Sequence, residues 1–238
     1  MFVVAVLSGG TAAVAGFGIG SLLTPLFAAE LGMTTAVAAV AIPHAIATAV
    51  RCWRLRHNID RGVVRSFGLL SALGGLSGAL LYTRFSNRTL TIVLALLLIA
   101  TAIAGLTNWM RRFHPGPRVA GALGVASGLF GGLAGNQGGL RAAALFAFPL
   151  APAAFVATST ATGLLVDAAR MPIYVWRAGA TLVPLATPIG VASVGVLIGT
   201  ILGERILLGM SVERFRKVVS TLIGLLGVWL LTARHWRS

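Results

Sequence analysis

Arg141 closes the stretch Gly128–Arg141, GLFGGLAGNQGGLR, which interrupts a long apolar run with six glycines and an Asn–Gln pair. A backbone so poor in side chains does not stay helical cheaply, so it is expected to open and present its amides and carbonyls. Arg141 is also the one cation that loops and segment ends do not account for, and an ionisable residue inside an apolar run marks a functional site by default. A forked, permanently charged guanidinium beside free backbone amides and the donors Asn136 and Gln137 is chemistry for a small oxyanion. A shorter echo lies at Gly16-Phe17-Gly18-Ile19-Gly20, with Pro25 beyond it. Gly18, Gly20, Gly138 and Gly139 would allow close backbone approach, and Ser21, Asn136 and Gln137 would donate hydrogen bonds. The competing reading of Arg141 is an assembly residue that snorkels or pairs with Asp167, and glycine breaks also serve tight helix packing.

Other polar residues inside apolar segments are secondary candidates. His44 follows Pro43 and has the titration range of a site ligand or proton relay, although a packed histidine fits equally well. Thr158 and Ser159, in the run Thr158-Ser159-Thr160, are candidates for the same roles, against the common habit of membrane hydroxyls to bond the preceding helical turn. Asp167 and Arg170 are three apart and read as a local pair. Gly75-Leu76-Ser77-Gly78 has the form of an intramembrane serine protease motif, but such a serine needs a base. The later histidines, His114 and His235, fall in a loop and in the tail. No Cys and His cluster suggests a metal, no cofactor is expected, and Cys52 stands alone.

These residues must be positioned by membrane helices. The chain of 238 residues is 57% hydrophobic and 10% charged, with a mean hydropathy of +0.93; soluble domains carry roughly 25% charged residues. At roughly 20 residues per span, about seven or eight segments fit and no soluble domain does. The net charge of +14 lies in short loops beside apolar runs, which reads as topology signals rather than as a nucleic-acid surface. Met1 to about Leu31 is too long for one span and splits at the glycines into half-helices near Phe2–Ala15 and Ser21–Leu31. Segments near Thr35–Val50, Val63–Thr83 and Leu90–Met110 follow, with the arginine run Arg51–Asp60 as an interfacial loop. The basic stretch 111–118 divides a first repeat, 1–110, from a second, 119–238, where Val119–Phe148 again carries a glycine break. Ala153–Trp176, Thr181–Leu202, an amphipathic connection Glu204–Lys217 and Val218–Thr232 complete it.

A shift of about 119 positions lays Gly16 on Gly135, Gly20 on Gly139, Leu26 on Leu145 and Arg51 on Arg170, the mark of an internal duplication. The fold class expected is an all-α polytopic membrane protein of two repeats, each a glycine-broken helix plus three membrane helices. Charge counting fits either a re-entrant hairpin at each break, with Arg170 among the loop cations opposite the Arg51–Arg65 end, or a single broken span, in which Arg170, Arg177 and the tail change places with the Glu204–Lys217 connection. The hairpin is favoured because it makes each half odd and so yields inverted repeats.

In this order, Gly16–Leu26, Arg56–Asp60, Gly74–Ala79, Gly135–Arg141, Gly195–Gly203, Met210-Ser211 and Phe215-Arg216 resemble the TauE/SafE family of sulfite-exporter-like permeases over nearly the whole chain. His57 stands where that family usually has glycine, and Ala144 where its second motif usually has proline. The resemblance implies a secondary carrier rather than an enzyme. It would export a small sulfur-containing anion such as sulfite or an organosulfonate across the cytoplasmic (inner) membrane, by alternating access around a midplane site. Alternatives are a carrier of another small anion, carboxylate or sulfate, or a membrane scaffold without transport. The partners expected are the anion and membrane lipids, with no nucleic acid; a homo-oligomer is compatible with the sequence.

Overall fold

The structure, a computed structural model, describes residues 1–16, 18–107, 116–206 and 212–232. The expected loop 111–118 lies outside the described residues except for its last three positions, as do residues 207–211 of the Glu204–Lys217 connection and the tail arginines Arg234 and Arg237. Among the described residues there are helices and turns but no strand.

Among the described residues ten helices follow one another. They are α1 Phe2–Ala15, α2 Ile19–Leu31, α3 Met33–Leu55, α4 Arg61–Arg84, α5 Asn87–Leu106, α6 Pro117–Ala134, α7 Gly138–Leu145, α8 Pro152–Leu182, α9 Ala186–Ile206 and α10 Val212–Thr232. Among the described residues four stretches are long and apolar enough to cross a membrane: Met33–Asn58, Arg61–Arg84, Asn87–Leu106 and Pro152–Gly203. Large apolar side chains such as Leu73, Leu96, Ile103 and Trp176 face outward, while Ser8, Ser21, Gln137, Arg141 and Thr160 are buried. That inside-out distribution is what a hydrocarbon solvent selects.

Both breaks have the same local cause. Gly16, at φ 77°, ends α1 and donates its N–H to Ala12 O at 3.0 Å; Gly135, at φ 71°, ends α6 and donates to Gly131 O at 3.1 Å. Left-handed caps of this kind admit glycine at little cost and stop a helix. Side chains cap several starts. Asp60 Oδ1 accepts from Val63 N–H at 2.9 Å at the start of α4, and Ser86 Oγ accepts from Thr89 N–H at 3.2 Å at the start of α5. Asn87 Oδ1 accepts both Thr34 N–H at 2.9 Å and Thr34 Oγ–H at 2.8 Å, tying the start of α3 to that of α5.

The chain path follows from packing. In α4 and α6 the contact register climbs together, Gly74 opposite Val125 and Gly78 opposite Leu129, so the two run parallel; α1 and α9 do likewise, with Val6 opposite Gly199 and Gly10 opposite Gly203. After α7, Phe148 returns to α4, its ring 6.1 Å from that of Phe67, in a cluster with Val63, Leu145 and Leu123 of α6. The backbone N–H of Asp60 donates to Thr158 Oγ at 3.0 Å, which sets the start of α8 beside the Arg56–Asp60 turn. Helices α6 and α7 therefore form a re-entrant hairpin that enters and leaves at the Arg56–Asp60 end. At the other end Arg177 Nη1 donates to Thr83, so α9 starts there, as does α1 beside it, and α2 returns there to Gly32, against Asn87. The two hairpins enter from opposite ends and meet tip to tip, where a Cβ on Gly20 would strike the Gly135 carbonyl.

Two expected boundaries are corrected. Helix α3 runs on through Leu55, so Arg51 is buried within it rather than placed in a loop. Helix α8 continues from Pro152 to Leu182 and buries Arg170 at 1% exposure. Grouping Arg170 with the loop cations was wrong, because a carboxylate one turn earlier in its own helix replaces the water it would otherwise require.

Candidate functional site

Where the tips meet, α2 starts after Gly18 and α7 after Gln137, and the first amides of each have no partner within their own helix. Together they border a small cavity. Gly18, Gly20 and Ser21 line it from the first hairpin, Gly135, Asn136, Gln137, Gly138 and Arg141 from the second, and His44 from α3. Ser21 Oγ donates to Asn136 Oδ1 across the junction at 3.4 Å. Ser127 Oγ donates to the Gln137 carbonyl at 2.8 Å and braces the second tip from within its own hairpin.

Arg141 is 3% exposed. Its Nε donates to Ser159 Oγ at 3.0 Å, and its guanidinium packs over Gly163 of α8, where a Cβ would come within 2.9 Å of Nη1. Nη1 has no hydrogen-bond partner, nor do Asn136 Nδ2 and both ends of the Gln137 amide. Buried donors are almost always satisfied. Three that are not, on neighbouring side chains facing one cavity, describe a place prepared for an acceptor. The cavity leaves only about 10 Å³ for the centre of a water-sized sphere, room for about one water.

Arg141 does not pair with Asp167. Asp167 Oδ1 accepts from Arg170 Nε at 3.1 Å and Nη2 at 2.7 Å, and Oδ2 faces His44 Nδ1 at 2.7 Å. Arg170 Nη1 and Tyr174 Oη then donate to the carbonyls of Gly131 and Gly132, in the last turn of α6. The local Asp167–Arg170 pair read from spacing is present, and it anchors the second hairpin tip to α8. Its link to His44, 123 residues away in sequence, has no sequence signal.

The remaining candidates divide. Ser159 joins the cavity group through Arg141. Thr158 is fully buried but spends its hydroxyl on Asp60 and stays out of the cavity. Gly139 turns the other way, onto Thr101 of α5, and borders a separate apolar cavity of about 90 Å³ with Leu97, Leu140 and Ala143. Gly135 and Gly163 were not singled out as site residues; the only hint of Gly163 is a small residue one turn from Ser159 on the same face. Ser77 of the protease-like motif is exposed and bonds Leu73 O at 2.9 Å, a helical turn back. No group of three or more His, Cys, Asp or Glu that could hold a metal occurs among the described residues.

Compared with known proteins, residues 1–230 match the family model described as Sulfite exporter TauE/SafE. No curated protein and no solved structure matches the chain.

Proposed function

From the premise that the chain belongs to the TauE/SafE sulfite exporter family, we propose that it carries small sulfur-containing oxyanions, sulfite or organosulfonates, outward across the inner membrane by secondary transport. The observation that carries this reading is the set of unpartnered donors Arg141 Nη1, Asn136 Nδ2 and Gln137 Nε2 around the hairpin-tip cavity. An oxyanion there would exchange its hydration for the guanidinium fork, two amides and the first backbone N–H groups of α2 and α7.

Alternating access is the mechanism the architecture supports best. Two hairpins entering from opposite ends, both ended by a left-handed glycine 119 positions apart (Gly16 and Gly135), fit inverted repeats spanning 1–110 and 119–238. The packing is paired in the same sense: α1 lies on α9 as α6 lies on α4, and α3 crosses to α8. A cavity with room for about one water is too small for a sulfite or sulfonate ion, so the tips must part toward one end to admit an anion and toward the other to release it. An interior-negative potential drives a monoanion outward with about 2.3 kcal/mol per 100 mV, enough for export without another energy source.

The test is anion binding to detergent-purified protein, read as thermal stabilisation by sulfite, taurine-like sulfonates, sulfate and carboxylates, in wild type and Arg141→Ala. Stabilisation by sulfite or sulfonates that disappears in the folded variant supports the reading. Stabilisation by carboxylates alone reassigns the substrate, and equal stabilisation of both proteins removes Arg141 from the site.

A further inference from the structure

We infer that His44 is the proton site of the carrier: a dianion such as fully ionised sulfite entering the Arg141 cavity draws a proton onto His44, and the two cross together as a net monoanion, which the interior-negative potential still drives outward. The inference rests on the proposed anion site and adds a second transported ion to it.

The geometry commits one ring nitrogen. An ionised carboxylate only accepts hydrogen bonds, so His44 Nδ1, at 2.7 Å from Asp167 Oδ2, carries the hydrogen of that contact. Thr48 Oγ also lies 3.4 Å from Nδ1. Nε2 is the polar atom the ring has left, and His44 is among the residues that line the cavity. In the neutral ring Nε2 presents a lone pair, which an oxyanion opposes; protonated, it becomes a donor to that oxyanion. Anion and proton therefore favour each other at this position, and by linkage each raises the affinity of the other.

Charge leads to the same place. Asp167 and Arg170 neutralise each other through two hydrogen bonds, which leaves the Arg141 guanidinium as the uncompensated charge beside the cavity. That matches a monoanion. A dianion such as fully ionised sulfite needs one more positive charge, and a protonated His44 supplies it.

Among the described residues, the titratable groups around His44 are already hydrogen-bonded or permanently cationic. From α8 it faces Asp167, with Arg170 and Tyr174 behind; from α7 it faces Arg141. The described lining of α2 offers glycine and serine, and residues 186–203 of α9 contain nothing titratable. His44 keeps 12% of its side chain exposed while Asp167 keeps 1%, so the histidine is the member of the pair that protons can reach. Asp167, fixed by Arg170, holds the ring in place through the cycle.

The experiment adds sulfite to the purified full-length protein in weakly buffered solution. It reads proton uptake with a pH indicator and bound sulfite by calorimetry, in wild type, His44→Gln and His44→Asn. The expected result is uptake approaching one proton per sulfite bound by wild type at slightly alkaline pH, and sulfite binding with that uptake abolished in the variants. Uptake that persists in both variants assigns the proton to sulfite itself and overturns the inference. Sulfite binding by wild type without uptake overturns it too and leaves the transport reading standing, whereas no sulfite binding overturns the inference and restricts the transport reading to organosulfonates. Should both variants fail to fold, wild type labelled with [15N]histidine decides. Sulfite must shift one of the chain's 4 histidines to the imidazolium form, and no such shift overturns the proposal.

Discussion

At the residue scale, Arg141 carries opposite consequences for stability and for binding. A buried cation without a carboxylate and with one unpartnered nitrogen costs folding free energy, so Arg141→Ala is expected to leave the melting temperature unchanged or raise it. Hydrogen bonds to charged groups are worth about 1.5–3 kcal/mol, so the same change should weaken oxyanion binding about 10–150-fold. Arg141→Lys keeps the charge, loses the fork and should fall between the two. Gly163 gives a sharper test, because it touches Arg141 without contributing a polar group. Gly163→Ala would push a methyl into the guanidinium, and it should reduce anion affinity several-fold while a helix-favouring substitution leaves the fold intact. Unchanged affinity in a folded Gly163→Ala protein would show that the position of the guanidinium is not critical. Arg141, Asn136 and Gln137 were legible because polar residues are conspicuous in an apolar, glycine-broken run. The His44–Asp167 contact and the burial of Arg170 were not, because they depend on which helices the fold sets side by side.

At the element scale, the hairpin tips can meet because no side chain stands between them. A Cβ at Gly20 meets the backbone carbonyl of Gly135 rather than the flexible end of a side chain, and backbone in a capped turn has little room to yield. Gly20→Ala is therefore expected to destabilise the protein by about 1–3 kcal/mol, the usual cost of overpacking, and to abolish transport by prising the tips open. The same logic governs the α4–α6 seam, where Gly74 faces the Val125 carbonyl and Gly128 the Ser71 carbonyl. Gly74→Val should lower the melting temperature by several degrees. Gly190 in α9 has nothing within 4 Å, and Gly190→Ala should be neutral or stabilising by up to about 1 kcal/mol; thermal melts of the three variants check the contrast. The half-helices and their breaks could be read from glycine spacing, because a left-handed cap is a local event. The full length of α8 could not: the expected segment stops at Trp176, and the helix runs on through Arg177 and Gly179 to Leu182.

At the scale of the whole molecule, the distribution of charge sets the orientation once the chain path is known. Charge counting alone left hairpin and single span open, because both topologies leave one end richer in arginine. The contacts of Phe148 with Phe67 and of Thr158 with Asp60 return the second hairpin to the end it came from, and with that path Arg54, Arg56, Arg61, Arg65 and Arg118 share an end, while Arg84, Arg88 and Arg177 lie at the other. The positive-inside rule then turns the Arg56–Asp60 end to the cytoplasm. On the proposed export cycle, the second hairpin, with Arg141 on it, is the one entered from the cytoplasmic side, where the anion would be collected, and the first the one entered from outside, where it would be released. Single cysteines test this directly. His57 and Arg88 are both exposed, and each is replaced by cysteine after Cys52→Ala removes the chain's one native thiol. A membrane-impermeant maleimide applied to intact spheroplasts should label Arg88→Cys and spare His57→Cys until the membrane is permeabilised. The reverse pattern would invert the protein in the membrane and make the first hairpin the cytoplasmic entrance. Labelling of both from outside would put the two ends on one side, which no path through α3, α4 and α5 permits.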